Sequence, residues 1–104
     1  MLTVDAAFDR IGSALRQMGY TFKKEERARD GSGDRLAMYD SPNMSVRLRW
    51  AGKARLMVLE VKVDGAWTEF SRRNAGPDGI EDTAAEALVH AVRNEVNETS
   101  TDGG

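Results

Sequence analysis

The stretch from Met44 to Arg73, MSVRLRWAGKARLMVLEVKVDGAWTEFSRR, restricts the fold more than any other part of the chain. Met44, Val46, Leu48 and Trp50 alternate with Ser45, Arg47 and Arg49. Met57, Leu59, Val61 and Val63 alternate in the same way with Leu56, Val58, Glu60 and Lys62. This is the two-residue period of strands with one apolar face. Asp64-Gly65 falls between two such runs, where a tight hairpin turn needs positive φ angles. A two-residue turn there pairs Val63 with Ala66, Lys62 with Trp67, Val61 with Thr68, Glu60 with Glu69 and Leu59 with Phe70. A second two-residue turn at Gly52-Lys53 pairs Leu48 with Met57, Val46 with Leu59 and Met44 with Val61. Both registers put Met57, Leu59, Val61 and Val63 on one face, and a slip of one residue would invert that face.

The opposite face then carries Arg47, Arg49, Glu60, Lys62, Trp67, Glu69 and Arg73 around Leu56 and Val58. Tryptophan and arginine are the residue types that most often anchor protein interfaces. The expected protein-interaction residues are therefore Arg47, Arg49, Leu56, Val58, Lys62, Trp67 and Arg73.

Helical patterns flank the strands. Thr3 is a suitable N-cap, and Asp5 adds a negative charge to the first turn. Val4, Phe8, Ile11, Leu15 and Met18 form an apolar stripe ended by Gly19. Tyr20 to Glu25 reads as a strand that grows more polar along its length, and Gly31-Ser32-Gly33-Asp34 reads as a turn. Leu36 to Tyr39 is a short strand in which either Leu36 and Met38 or Ala37 and Tyr39 could face the core. A second helix begins between Asp78 and Thr83, with Ile80, Ala84, Ala87, Leu88, Ala91 and Val92 along one side. The expected architecture is an α+β two-layer sandwich of one domain, residues 1–97. It has an antiparallel sheet of about five strands with the N- and C-terminal helices on one face. Residues 98–104 have no apolar side chain and are expected to be a disordered tail.

The 104 residues include 15 lysines and arginines against 17 acids, so net charge exerts no general pull toward nucleic acid or anionic membrane. The distribution is uneven. Residues 44–73 carry seven bases and three acids, and residues 74–104 carry one base and seven acids. There is no cysteine, which excludes disulfides, thiolate metal ligands and cysteine nucleophiles. No apolar run reaches the ~20 residues of a membrane span, and no signal-peptide pattern opens the chain. The expectation is a cytoplasmic protein.

The search for chemistry is mostly negative. His90 is the only histidine; with no second histidine or cysteine it has no companions for a metal site, and no serine has a nucleophile-elbow context. The glycine-containing turns match neither a P-loop nor a dinucleotide fingerprint. Glu60 and Glu69 face each other across the expected hairpin, a placement that could divide acid and base roles between two carboxylates. Arg47 and Lys62 are placed to neutralise them. The resulting expectation is a non-enzymatic protein-binding module, a small inhibitor or adaptor on a larger assembly, with no cofactor and no metal. Its partner would be another protein or a second copy of itself. Some phage and immunity proteins share such an architecture, an analogy of fold alone. The alternatives are a weak nucleic-acid binder using the basic strand residues, and a hydrolase or isomerase using Glu60 and Glu69.

Overall fold

The computed structural model describes the backbone of residues 1–102 and the side chains of residues 1–94. The order is α1 (Val4–Gln17), β1 (Thr21–Arg27), β2 (Arg35–Asp40), β3 (Ser45–Ala51), β4 (Leu56–Val63), β5 (Ala66–Asn74) and α2 (Asp82–Asp102). The five strands form one antiparallel sheet in sequence order. Buried side chains from α1, α2 and one face of the sheet meet in a single core. The chain is therefore the expected α+β sandwich. The expected disordered tail, 98–104, falls outside the residues whose side chains are described.

Local chemistry fixes α1. The Thr3 hydroxyl accepts from Ala6 N at 3.1 Å, satisfying an amide that the first turn leaves unpaired. At the other end Gly19 has φ 97°, Gly19 N donates to Arg16 O and Tyr20 N donates to Leu15 O, each at 3.0 Å. That pair of bonds stops the helix and turns Tyr20 back into the core beside Leu15. In α2 the fully buried line is Ala85, Leu88, Val89 and Val92, while Ala84, Ala87 and Ala91 are half-buried. The helix is rotated from the expected face because the larger Leu88, Val89 and Val92 bury more apolar area than alanines do. Ile80 precedes the helix and pairs with Leu2 through bonds of 2.7 and 2.8 Å.

The β3–β4 connection differs from the two-residue turn expected at Gly52-Lys53. Ala51 pairs with Leu56, so the loop is 52–55, and the register becomes Trp50 to Met57, Leu48 to Leu59 and Val46 to Val61. Neighbouring segments hold this loop open. Gly52 N donates to Asp34 Oδ1 at 2.7 Å, the Arg55 guanidinium donates to Gly76 O at 2.7 and 3.0 Å, and Arg55 takes φ 50°. The displacement is two residues, an even number, so the apolar face of β4 stays on the core side.

Asp64 and Gly65 have φ 51° and 82° and form the expected hairpin turn. Pairing runs as expected from Val63–Ala66 to Glu60–Glu69, and then a bulge intervenes: Leu59 pairs with Ser71, not with Phe70. Phe70 is the extra residue and packs against the core from its margin. Beyond it the alternation in β5 is reversed. Val63, expected in the core, is 48% exposed beside the hairpin turn, beyond the packed part of the sheet. The ambiguity in β2 resolves to Ala37 and Tyr39, which are 3% and 5% exposed.

Leu59 is wholly buried, between Leu48 on β3 and Ser71 on β5. Leu59→Ala is expected to destabilise the fold by about 2–5 kcal/mol in denaturant unfolding, and a loss below about 1 kcal/mol would contradict this placement.

Candidate protein-interaction face

The face of the sheet turned away from the helices is built by three strands. Register places Arg47 opposite Glu60, Arg49 opposite Val58, Lys62 opposite Trp67 and Glu60 opposite Glu69. Residues directly opposite share a face, so Arg47, Arg49, Leu56, Val58, Lys62 and Trp67 all lie on this side as expected. Arg73 does not. The bulge at Phe70 pairs Arg73 with Met57 and Arg72 with Val58, which sends Arg73 to the helix side and brings Arg72 to the outer face. The odd insertion is the physical reason for that correction.

Side-chain chemistry organises the face around Glu60. This carboxylate is 7% exposed and accepts from Arg47 Nε at 2.7 Å, with Arg49 Nε at 3.4 Å. A buried carboxylate needs partners of this kind to offset lost hydration. Arg47 also stacks on Trp67, its guanidinium 4.5 Å from the ring centroid, an arrangement that fixes both side chains. Trp67 is left half-buried. Glu69 makes its own two-pronged pair with Arg72, at 2.7 and 2.8 Å. The hydrogen bonds from Arg72 hold the Glu69 carboxyl below its ordinary 4.5. The stability this pair contributes is present above that value and is lost as the pH falls through the lower folded-state one.

Glu60 and Glu69 are therefore opposite each other as expected, and each is engaged by its own arginines. The neutralising partners of Glu60 are Arg47 and Arg49, where Arg47 and Lys62 were expected. Val58 is 0% exposed although no helix covers it. Arg49 and Arg72 flank it, and arginine stems are apolar enough to roof such a residue. Val58 thus supports the face from beneath. Leu56 is half-buried, and Leu36 and Met38 of β2 extend the apolar part of the face toward β1, also half-buried. Sequence reasoning left these two open because Leu36-Ala37-Met38-Tyr39 is apolar at every position and carries no alternation. Arg72 was missed because a bulge leaves no simple local signature.

Across β3–β5 the face sets Arg47, Arg49, Lys62 and Arg72 against Glu60 and Glu69, an excess of two positive charges. Among the described residues no group of three or more histidines, cysteines or acids could hold a metal ion, and no helix is long and apolar enough to cross a membrane. His90 is exposed on α2. No family model matches the chain, and no curated protein or solved structure matches it.

Replacing Glu60 leaves Arg47 and Arg49 without their shared counter-charge above a buried valine. Glu60→Gln is expected to destabilise the fold by about 1–3 kcal/mol, and Glu69→Gln measurably less. Equal unfolding midpoints for the wild type and Glu60→Gln would show that the carboxylate does not organise the face.

Proposed function

We propose that this chain is a non-enzymatic protein-binding module, a small inhibitor or adaptor that docks the outer face of its sheet on a larger partner. The observation that carries the reading is the Trp67–Arg47–Glu60 arrangement. Here an aromatic ring is held by a guanidinium, which is itself held by a buried carboxylate. Side chains fixed in this way lose little rotamer freedom on binding, and that is the usual character of an interface anchor. Half-buried Leu36, Met38 and Leu56 supply apolar contact around it. The two excess positive charges suit a partner surface bearing carboxylates, where complementarity sets orientation and association rate.

The excess charge and the exposed part of Trp67 would also serve a nucleic acid, through phosphate contacts and stacking on a base. The protein reading fits the face better, because Glu60 and Glu69 occupy Arg47, Arg49 and Arg72, leaving few cations free for phosphates.

The test is affinity capture from nuclease-treated extract of the source organism, followed by titration with the captured protein. Trp67→Ala is expected to keep the fold and to weaken binding by roughly 2 kcal/mol or more, with Arg73→Ala on the helix side as a control that leaves binding unchanged. Salt dependence is expected to be modest. Binding lost on nuclease treatment, with a steep salt slope that flattens when Arg47 and Arg49 are replaced, would identify a nucleic-acid binder instead. Light scattering on the purified chain decides whether the partner is a second copy.

A further inference from the structure

On the other side of the sheet, α1 and the β1–β2 hairpin enclose a cleft of about 150 Å³ lined by Asp9, Gly12, Arg16, Phe22, Arg35 and Tyr39 among others. Tyr39 is 5% exposed, and its hydroxyl rests directly on α1: a Cβ added at Gly12 would lie 2.3 Å from the oxygen. Glycine is less favourable than alanine inside a helix, and here it makes the room that the hydroxyl occupies. Among the described residues that hydroxyl has no hydrogen-bond partner. A phenylalanine would fill the same space without the oxygen. Among the described residues every side-chain polar atom fully cut off from solvent has a partner, so this partnerless oxygen opens on the cleft, where a ligand can reach it. Burial also pushes the hydroxyl above its ordinary 10.0, so near neutral pH it is a neutral donor.

Two further groups, both exposed, line the same space. Asp9 and Arg16 stand on either side of Gly12, three and four residues away, on one face of α1. Neither forms an ion pair among the described residues, whereas Arg35 and Glu25 beside them are bound to each other. Helical side chains lean toward the N-terminus, so Arg16 extends back over the turn that holds Gly12. Its guanidinium lies 5.9 Å from the Phe22 ring centroid, and Phe22 packs edge-on to Tyr39 with centroids 5.6 Å apart. The cleft thus offers a guanidinium and a neutral hydroxyl as donors, a carboxylate as acceptor and an aromatic wall. We propose that it binds a free α-amino acid with a small side chain, the ligand carboxylate accepting from Arg16 and Tyr39 and the ammonium donating to Asp9. The cavity of about 150 Å³ has room for about five waters at roughly 30 Å³ each, which admits a small amino acid and excludes a nucleotide. The site lies across the sheet from the proposed docking face, and the two readings stand or fall separately.

The test is a ¹H–¹⁵N correlation titration of the full chain with glycine, L-alanine and L-serine, each run beside its N-acetyl and its amide derivative. Saturable shifts are expected at Gly12, Arg16, Phe22 and Tyr39. Affinity is expected to fall at least about tenfold for both derivatives, for Asp9→Asn and for Tyr39→Phe, each of which removes a charge or a hydrogen bond to a charged group. Tyr39→Phe keeps the ring against Gly12, and without ligand its melting temperature is expected to be no lower than that of the wild type. No saturable shift with any of the three amino acids, equal response to a derivative, or unchanged affinity in Tyr39→Phe overturns the proposal. A lower melting temperature for ligand-free Tyr39→Phe does so as well, because the hydroxyl would then have a partner within the chain.

Discussion

The pairing of Leu48 with Leu59 at the centre of the sheet sets the side on which every other strand residue lies. Side chains alternate along a strand, and directly opposed residues share a face. The core side of this pair is covered by α1 and α2. One residue further along, Arg47 and Glu60 meet on the outer side. Everything that distinguishes the two faces follows from counting outward from this point through turns and bulges. The 52–55 loop displaces the register by an even number of residues and leaves the faces intact. The single extra residue at Phe70 reverses them, exchanging Arg72 and Arg73. A similar shift between Phe22 and Lys24 places Phe22 and Glu25 together on the helix side, where both border the Tyr39 cleft.

The outer face shows how a sheet with helices on one side protects its other side. Val58 is as inaccessible as any residue under the helices, with the long charged side chains of Arg49 and Arg72 on either side of it. Arginine suits that role because its stem is apolar and its head stays ionised while it stacks and bonds at once. Glu60 holds the heads of Arg47 and Arg49, and Glu69 holds that of Arg72. The result is a charged but ordered surface, the property on which the proposed docking reading rests. On the helix side, Glu25 uses the same chemistry at the sheet edge. Burial opposes its ionisation, yet hydrogen bonds from Arg35 and Arg27 outweigh that effect and hold its carboxyl below the ordinary 4.5. Arg35 in turn lies 4.2 Å over the Phe8 ring, linking edge strand, second strand and first helix.

Much of this was legible from residue order alone. Alternation over 44–63, the Asp64-Gly65 turn and the capped stripe of α1 each express a local preference that agrees with the final fold, and such agreement makes a sequence readable. What escaped was decided by contacts between distant segments. The longer β3–β4 loop depends on Asp34 and Gly76, far away in the chain. The bulge depends on how Phe70 meets the core. Which side of β2 faces inward depends on Tyr39 finding Gly12, a fit between two elements that neither strand nor helix pattern announces. Of the expected interaction residues, those before the bulge lie on the outer face and Arg73, beyond it, does not.

Membership of the outer face is therefore a question of register, and interstrand backbone NOEs measure register directly. Contacts are predicted between Trp50 and Met57, between Leu48 and Leu59, and between Leu59 and Ser71, with Val58 meeting Arg72. Contacts from Leu48 to Met57 and from Leu59 to Phe70 would contradict the account. They would return Arg73 to the face and take Arg72 from it, dissolving the charge arrangement on which the proposed docking surface rests.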